Sequence, residues 1–437
     1  MEREKIEQIR AFIKIIPENL DFVNITLLLE NLDQIDKNHE FFNPLFELKT
    51  LSLVYDVSVA KEDLIRYTDL TLGKEIADYF ESNLRIVSEK VIQRVIKEVY
   101  NDGNLLIKNI DDYSDLCKLV AEYERPKAES GTPKSLNLLM SHLLDLKENE
   151  SIYDCASGNG SSLLYAIKKT NNVYSQEINY ESYIRQILIF KLLDFKNVTI
   201  VNENTLTNPI FINESVDKII CNPPFVQRIM DNMEINDCIT SISGEQYKTN
   251  READIYFYNL ISKIVKKKAV FVAPSGLSFK QTKIAVAYKK WLVDNKYLDT
   301  VVQLPSGLFG PNTNVSTVLF VINKEKINED VYMIDISESD FINKERVFTE
   351  IKEDKMNELV SMIQNKKEVN GLSVCVSSKT IEEAEWDLIP KRFIPFEELS
   401  ENKDLDCLLD ERKRILDQLK IQIDKVNECL VKVQSLK

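Results

Sequence analysis

The chain has 437 residues, 44% hydrophobic and 29% charged, enough apolar material for the cores of two or three domains. A formal charge of −14 argues against a protein that grips nucleic acid unaided, since phosphate neutralisation needs clustered Lys and Arg. There is no apolar run of the roughly 18 residues that a membrane span needs, and the start Met1-Glu2-Arg3-Glu4-Lys5 carries no export signal, so a cytoplasmic protein is expected.

Seven cysteines lie scattered at 117, 155, 221, 238, 375, 407 and 429, without metal-ligand pairing. They read as reduced thiols. With only His39 and His142 in the chain, no zinc site or histidine-driven triad is expected.

Residues 1 to about 120 carry helical signals with almost no glycine. From Lys74 to Tyr100, apolar residues recur largely at 3- and 4-residue spacing, and Asn101-Asp102-Gly103 supplies a stop. An all-helical N-terminal domain is expected, either lining a nucleic-acid channel or simply packing. Gly131-Thr132-Pro133 follows as a break before an apolar helix, Leu136 to Leu146. Thr132 suits the N-cap and Pro133 the first helical position.

Ser151 to Leu164 reads as strand, glycine-bearing turn and helix, with Gly158 and Gly160 allowing close backbone approach to a ligand. A second strand, Val173 to Gln176, ends in Glu177, where an acid can bond ribose hydroxyls. The match to G-x-G-x-x-G is incomplete, which disfavours a nicotinamide enzyme. A third strand, Val198 to Val201, leads into Asn204-Thr205, and a fourth, Val216 to Cys221, into Asn222-Pro223-Pro224-Phe225.

That last tetrapeptide presents an amide, a stiffened carbonyl and an aromatic ring at a strand's carboxyl end. The set suits an exocyclic amine on a flat ring: Asn222 and the Pro223 carbonyl accept its two N–H bonds, and Phe225 stacks on its face. A proline-stiffened turn with Phe225 in the core is the plainer alternative. Val226 to Asn250 is polar and aperiodic, a loop near substrate or a surface insertion. Helix and strand signals then alternate through Ile255–Val265, Ala269–Ala273, Val301–Leu304 and Thr317–Ile322. The fold expected is α/β, a doubly wound, mostly parallel sheet. Leu405 to Val433 carries a heptad seam over about four heptads, interrupted only by Arg412, so a C-terminal coiled-coil helix is expected.

Together these residues resemble the modification subunits of type I restriction-modification systems, S-adenosylmethionine-dependent adenine-N6 DNA methyltransferases. The resemblance covers roughly Gly131 to Asp335, in order. Gly131-Thr132-Pro133 resembles the family's threonine-proline element, Asp154 to Ser161 its D-P-x-C-G-S-G-G loop, and Gln176-Glu177-Ile178-Asn179 its acidic motif. Asn204-Thr205-Leu206 stands where D-S/T-L is usual, and Asn222 to Phe225 matches the catalytic motif outright. Leu304 to Phe309 followed by Val315-Ser316-Thr317 is typical of the subfamily, and Trp386 to Pro390 with Arg392 to Ile394 resembles a segment that contacts the specificity subunit.

Departures are Cys155 for the loop proline, Ser157 for its cysteine, Asn159 and Ser161 for its serine and last glycine, Gly131 for an aromatic residue, and Asn204 for an aspartate. The resemblance implies altered cofactor affinity rather than loss of the site. It further implies a Rossmann-like catalytic domain at 121–345 between a helical domain at 1–120, a partner-contacting segment at 346–400 and the tail helix at 401–437. Asn222, Pro223, Pro224 and Phe225 would be catalytic. Thr132, Pro133, Asp154, Ser157, Gly158, Gly160, Glu177, Ile178, Asn204 and Thr205 would bind S-adenosylmethionine: Thr132 and the glycine turn at the methionine end, Glu177 at the ribose, Asn204 at the adenine. Implied partners are double-stranded DNA, a specificity subunit docked through the tail helix, a second modification subunit and a restriction subunit. Alternatives are a non-catalytic DNA-binding scaffold, or N-methylation of protein glutamine or ribosomal RNA guanine, which use a related Asn-Pro-Pro-aromatic motif.

Overall fold

Short β-branched and aromatic runs, each ending in a polar turn, build the central sheet. The computed structural model describes residues 22–38, 57–85, 107–123 and 131–395, short internal stretches excepted (168–169, 171, 212–214, 226, 231–232, 249, 311–314 and 345–348), and also 87 and 412. The heptad helix expected toward the C-terminus lies outside the described residues, as does the Lys74–Tyr100 helix beyond Arg85, apart from Val87.

Among the described residues the helices α1 (Phe22–Asn38), α2 (Val57–Leu72), α3 (Lys74–Leu84) and α4 (Ile110–Tyr123) come first. Then follow α5 (Lys134–Leu144), β1 (Ser151–Asp154), α6 (Ser161–Ile167), β2 (Asn172–Glu177), α7 (Tyr180–Leu192), β3 (Val198–Asn202), β4 (Val216–Cys221), α8 (Asp254–Ile264), β5 (Val265–Pro274) and α9 (Lys283–Asp294). Last are β6 (Leu298–Gln303), β7 (Thr317–Asn323), β8 (Val331–Asp335), α10 (Met356–Gln364) and β9 (Ser373–Val376).

The nine strands form one sheet in the order β9-β8-β6-β7-β5-β4-β1-β2-β3. Strands β1 to β5 pair parallel, as do β6 and β8. Strand β7 runs antiparallel between β5 and β6, and β9 antiparallel beside β8. The expectation of a mostly parallel, doubly wound sheet holds. Because β9 pairs with β8, the sheet continues beyond residue 345 into the stretch read from sequence as a connecting segment.

Burial on both faces explains the continuous apolar runs. Along β4 and β5, Ile220, Val270 and Val272 face one core while Ile219, Cys221, Ala269, Phe271 and Ala273 face the other, the two-residue alternation of a pleated strand. Helix α1 lies on α7, where the buried Asn31 Nδ2 donates to the Leu188 carbonyl at 2.9 Å.

One sequence expectation needs correction. Helix α5 begins at Lys134, with Pro133 as its cap residue at ψ 142° and no side-chain cap. The first helical bond therefore runs from Asn137 N–H to the Pro133 carbonyl, and Thr132 lies outside the helix. The Val226–Asn250 stretch, expected as a loop near substrate or a surface insertion, reaches the cavity described below through Gln227 to Met230 and Met233. It carries a helical turn, Asp237–Thr240, and a small ribbon, Ser241–Ile242 with Glu245–Gln246. Ile239 and Ile242 are buried, and Asn259 Nδ2 of α8 donates to the Ile239 and Ser241 carbonyls. Elements this short leave no period to read.

Candidate active site

Strand order reverses between β1 and β4: the chain leaves β1 to lay down β2 and β3 on one side, then returns to place β4 on the other. Such a switch point opens a crevice at the carboxyl ends of the strands. Here it holds a cavity of about 680 Å³. Of the residues singled out in the sequence, Thr132, Ser157, Gly158, Glu177, Ile178, Asn204, Thr205 and Asn222 to Phe225 line it. Pro133, Asp154 and Gly160 do not; Asp154 and Gly160 are buried.

The turn after β1 is built around its glycines, at φ 52° for Gly158 and 77° for Gly160, in the left-handed region. A Cβ on Gly160 would stand 3.0 Å from Gln186 Cγ and 3.1 Å from Phe190 Cζ, so only glycine lets the turn sit on α7. At Gly158 a Cβ would meet nothing within 4 Å, so bare backbone faces the open cavity. Glu177 pins this turn. Its Oε2 accepts the Gly158 N–H at 2.7 Å and its Oε1 the Asn179 N–H at 2.7 Å. The neighbouring Ile178 is 62% exposed, an apolar face on the cavity wall.

Behind the turn, Asp154 is buried and its Oδ1 accepts the Ala156 N–H at 3.1 Å. Burial pushes its carboxyl up to about 7, and the charge of Glu177 adds to the rise, against the Ala156 N–H and the Cys221 thiol. Cys155 and Cys221, one after β1 and the other ending β4, hold their sulfurs 3.5 Å apart as free thiols. Ser157 Oγ lies in a buried network with Ser175 and Gln186, and Thr205 Oγ1 donates to the Cys155 carbonyl at 2.6 Å. Both hydroxyls thus brace the loops. Asn204 Oδ1 accepts the Leu206 N–H at 3.0 Å, which fixes the amide at the cavity wall.

Asn222 is positioned by β4 and the two prolines after it. Its Nδ2 donates to Thr132 Oγ1 at 3.0 Å. Its Oδ1 is buried and has no hydrogen-bond partner among the described residues. Phe225 meets Phe309 edge-on, with centroids 5.5 Å apart at 86°.

Several cavity residues carry no assignment from sequence: Phe309, Arg185 and Asn159, and also Gln227 to Met230, Met233, Ala253 and Phe257. Phe309 ends the Leu304–Phe309 motif and lines the cavity. Arg185 lines the cavity and donates from Nε to Asn24 Oδ1 of α1 at 2.7 Å. Asn159 was noted only as a departure; its carbonyl accepts from Tyr113 OH of α4 at 3.2 Å, so the early helices reach the glycine turn. No short-range signal marks these long-range contacts.

The profile of the N-6 DNA Methylase family matches residues 82–402, most of the chain. The chain belongs to this family. Among curated members of known name, it is 26% identical over 352 residues to the Type I restriction enzyme MpnII methylase subunit of Mycoplasma pneumoniae, covering 74% of this chain and 64% of the relative. It is 24% identical over 402 residues to the MjaVIII methylase subunit of Methanocaldococcus jannaschii, covering 87% and 69%. The chain spans about two thirds of the length of the curated relatives it matches. Its fold is that of the type I restriction-modification methyltransferase subunit from Streptococcus thermophilus, with a TM-score of 0.71 at 18% identity over 90% of this chain and 99% of the other. A modification subunit of a type I restriction enzyme from Vibrio vulnificus superposes with a TM-score of 0.65 at 18% identity, covering 90% and 96%.

Proposed function

We propose that this chain transfers a methyl group from S-adenosylmethionine to N6 of an adenine swung out of duplex DNA, as the modification subunit of a type I restriction-modification assembly. The observation that carries the reading is the Asn222 amide, tied to Thr132 through Nδ2 and left with a buried, unpartnered Oδ1 beside Phe225. An unpaired buried acceptor is unfavourable by about 1–3 kcal/mol. An exocyclic amine is a donor that would satisfy it.

The chemistry of the wall fits the cofactor. The open face of the Gly158 turn would take its methionine end, Glu177 the ribose hydroxyls, Ile178 the adenine face and Asn204 the adenine amine, with the amide accepting without charge assistance. Asp154, Gly160 and Pro133 would act by holding these groups in place. When bound, S-adenosylmethionine supplies an electrophilic methyl group on a good leaving group, so no strong general base is required.

The chain's own part is positioning and electrostatics. N6 is out of reach inside the duplex, so the base must leave the stack. Asn222 Oδ1 and the Pro223 carbonyl would take the two N6 hydrogens and aim the nitrogen lone pair, while Phe225 stacks on the base and Phe309 holds the edge of that ring. The acidic chain leaves sequence reading to a specificity subunit, docked through the tail helix and the Trp386–Ile394 segment, with a second modification subunit and a restriction subunit completing the assembly. A cytoplasmic site of action follows from this reading.

The test is transfer of labelled methyl from S-adenosylmethionine to unmethylated genomic DNA by the chain together with its specificity subunit, followed by nucleoside analysis. N6-methyladenine is expected, with Asn222→Ala lowering its rate at least about 100-fold. A wild-type complex that produces none would sink the reading.

A further inference from the structure

We propose that Thr132 is a positioning residue that holds the Asn222 amide in its working orientation, in place of the cofactor contact its motif suggests; this rests on the methyl-transfer reading above. A threonine before a proline at the start of a helix would ordinarily cap that helix, or offer its hydroxyl to a ligand carboxylate. Thr132 does not cap α5. Its Oγ1 accepts from Asn222 Nδ2 at 3.0 Å and from Ser162 Oγ of α6 at 3.3 Å.

Both ends of the Thr132–Asn222 bond are stiff. Each residue precedes a proline, Pro133 and Pro223, and so is confined to extended backbone by clash with the proline ring. The Thr132 carbonyl is also clamped by Asn137 Nδ2 at 2.9 Å, from a side chain that is fully buried. An asparagine's terminal torsion is by contrast broad and roughly two-fold, so nothing within Asn222 itself fixes its amide plane. The hydroxyl of Thr132 supplies that constraint. With Nδ2 held there, Oδ1 is the atom left without a partner. An amide free to rotate would present its NH₂ to the base amine for part of the time, donor against donor.

The experiment compares wild type, Thr132→Val and Thr132→Ser in the complex with the specificity subunit, reading kcat and KM for methyl transfer beside the calorimetric Kd for S-adenosylmethionine. Removing the hydroxyl with Val should lower kcat by about 10- to 100-fold with cofactor Kd within about twofold, and Ser should restore most of the rate. In an Asn222→Ala background, the Val change should have no further effect. A Val variant that loses cofactor affinity while keeping kcat, or one that changes neither, overturns the proposal. If Val fails to fold, Thr132→Ala is scored by the same criteria. A wild-type complex that binds the cofactor but methylates nothing overturns the methyl-transfer reading and this proposal with it, a result distinct from a wild type that works and a Val variant that works equally well.

Discussion

A Cβ built on Gly131 would stand 2.4 Å from Nδ2 of Asn159. The asparagine side chain occupies the space that any side chain at 131 would need, and it is held there by the Ser161 N–H on its Oδ1 at 3.1 Å. Gly131 and Asn159 are therefore packed as one unit beside the glycine turn.

Gly131→Ala should lower stability by about 1–3 kcal/mol through this crowding, since Gly131 has an ordinary negative φ that alanine could adopt. Adding Asn159→Ser should return most of that loss. A double-mutant cycle in urea measures it; strictly additive effects would show that the two sites are not coupled.

The Asp154 carboxyl, pushed up to about 7 by burial, makes a pH signature. The unfolded chain releases this proton near pH 3.9, whereas the folded protein keeps it to about 7. The stabilisation is complete below the unfolded value and is lost as pH rises through the folded one. Wild-type stability should therefore fall between about pH 4 and pH 7, and Asp154→Asn should flatten that fall. Urea midpoints across the range give the answer, and parallel curves for the two proteins would refute the assignment.

Phe309 is buried behind Phe225. Phe309→Leu keeps most of the volume but removes the edge-to-face contact, which is worth about 0.5–1.5 kcal/mol. The expected result is a severalfold rise in KM for DNA with unchanged cofactor Kd. Initial rates against DNA concentration test it; a change confined to cofactor binding would place Phe309 elsewhere in the reaction.

At the opposite, amino-terminal edge of the sheet, Glu150 pairs with Lys267 at 2.9 Å and with Lys218 at 3.6 Å, whose side chain is only 5% exposed. Burial works to raise the Glu150 carboxyl, but the Lys267 bond and the charges beside it hold it below its usual range. Its contribution is thus present above the unfolded value near pH 4.3 and is lost as pH falls through the folded one. Glu150→Gln leaves the Lys218 ammonium buried without its counter-charge and should lower stability at pH 7 by about 3 kcal/mol. Thermal unfolding checks the loss, and cofactor Kd in the folded protein should not change, because the pair lies across the sheet from the cavity.

By itself the sequence determined the alternation of strands and helices, the glycine turn after β1, Glu177 at the end of β2 and Asn222 to Phe225 after β4. These are local signals: glycine and proline restrict their own backbone, and apolar runs report burial within a few residues. Strand direction has no such signature. Thr317–Ile322 reads as a buried strand whichever way it runs, and only its bonds to β5 and β6 make it antiparallel. The order that lays β4 beside β1 brings positions 132, 158, 177, 204 and 222 to one cavity, and this was settled by packing. So were the pairings of Thr132 with Asn222, Phe225 with Phe309 and Gly131 with Asn159. Each joins residues far apart in the chain, and contacts of that range exist only once the sheet and its two cores have closed.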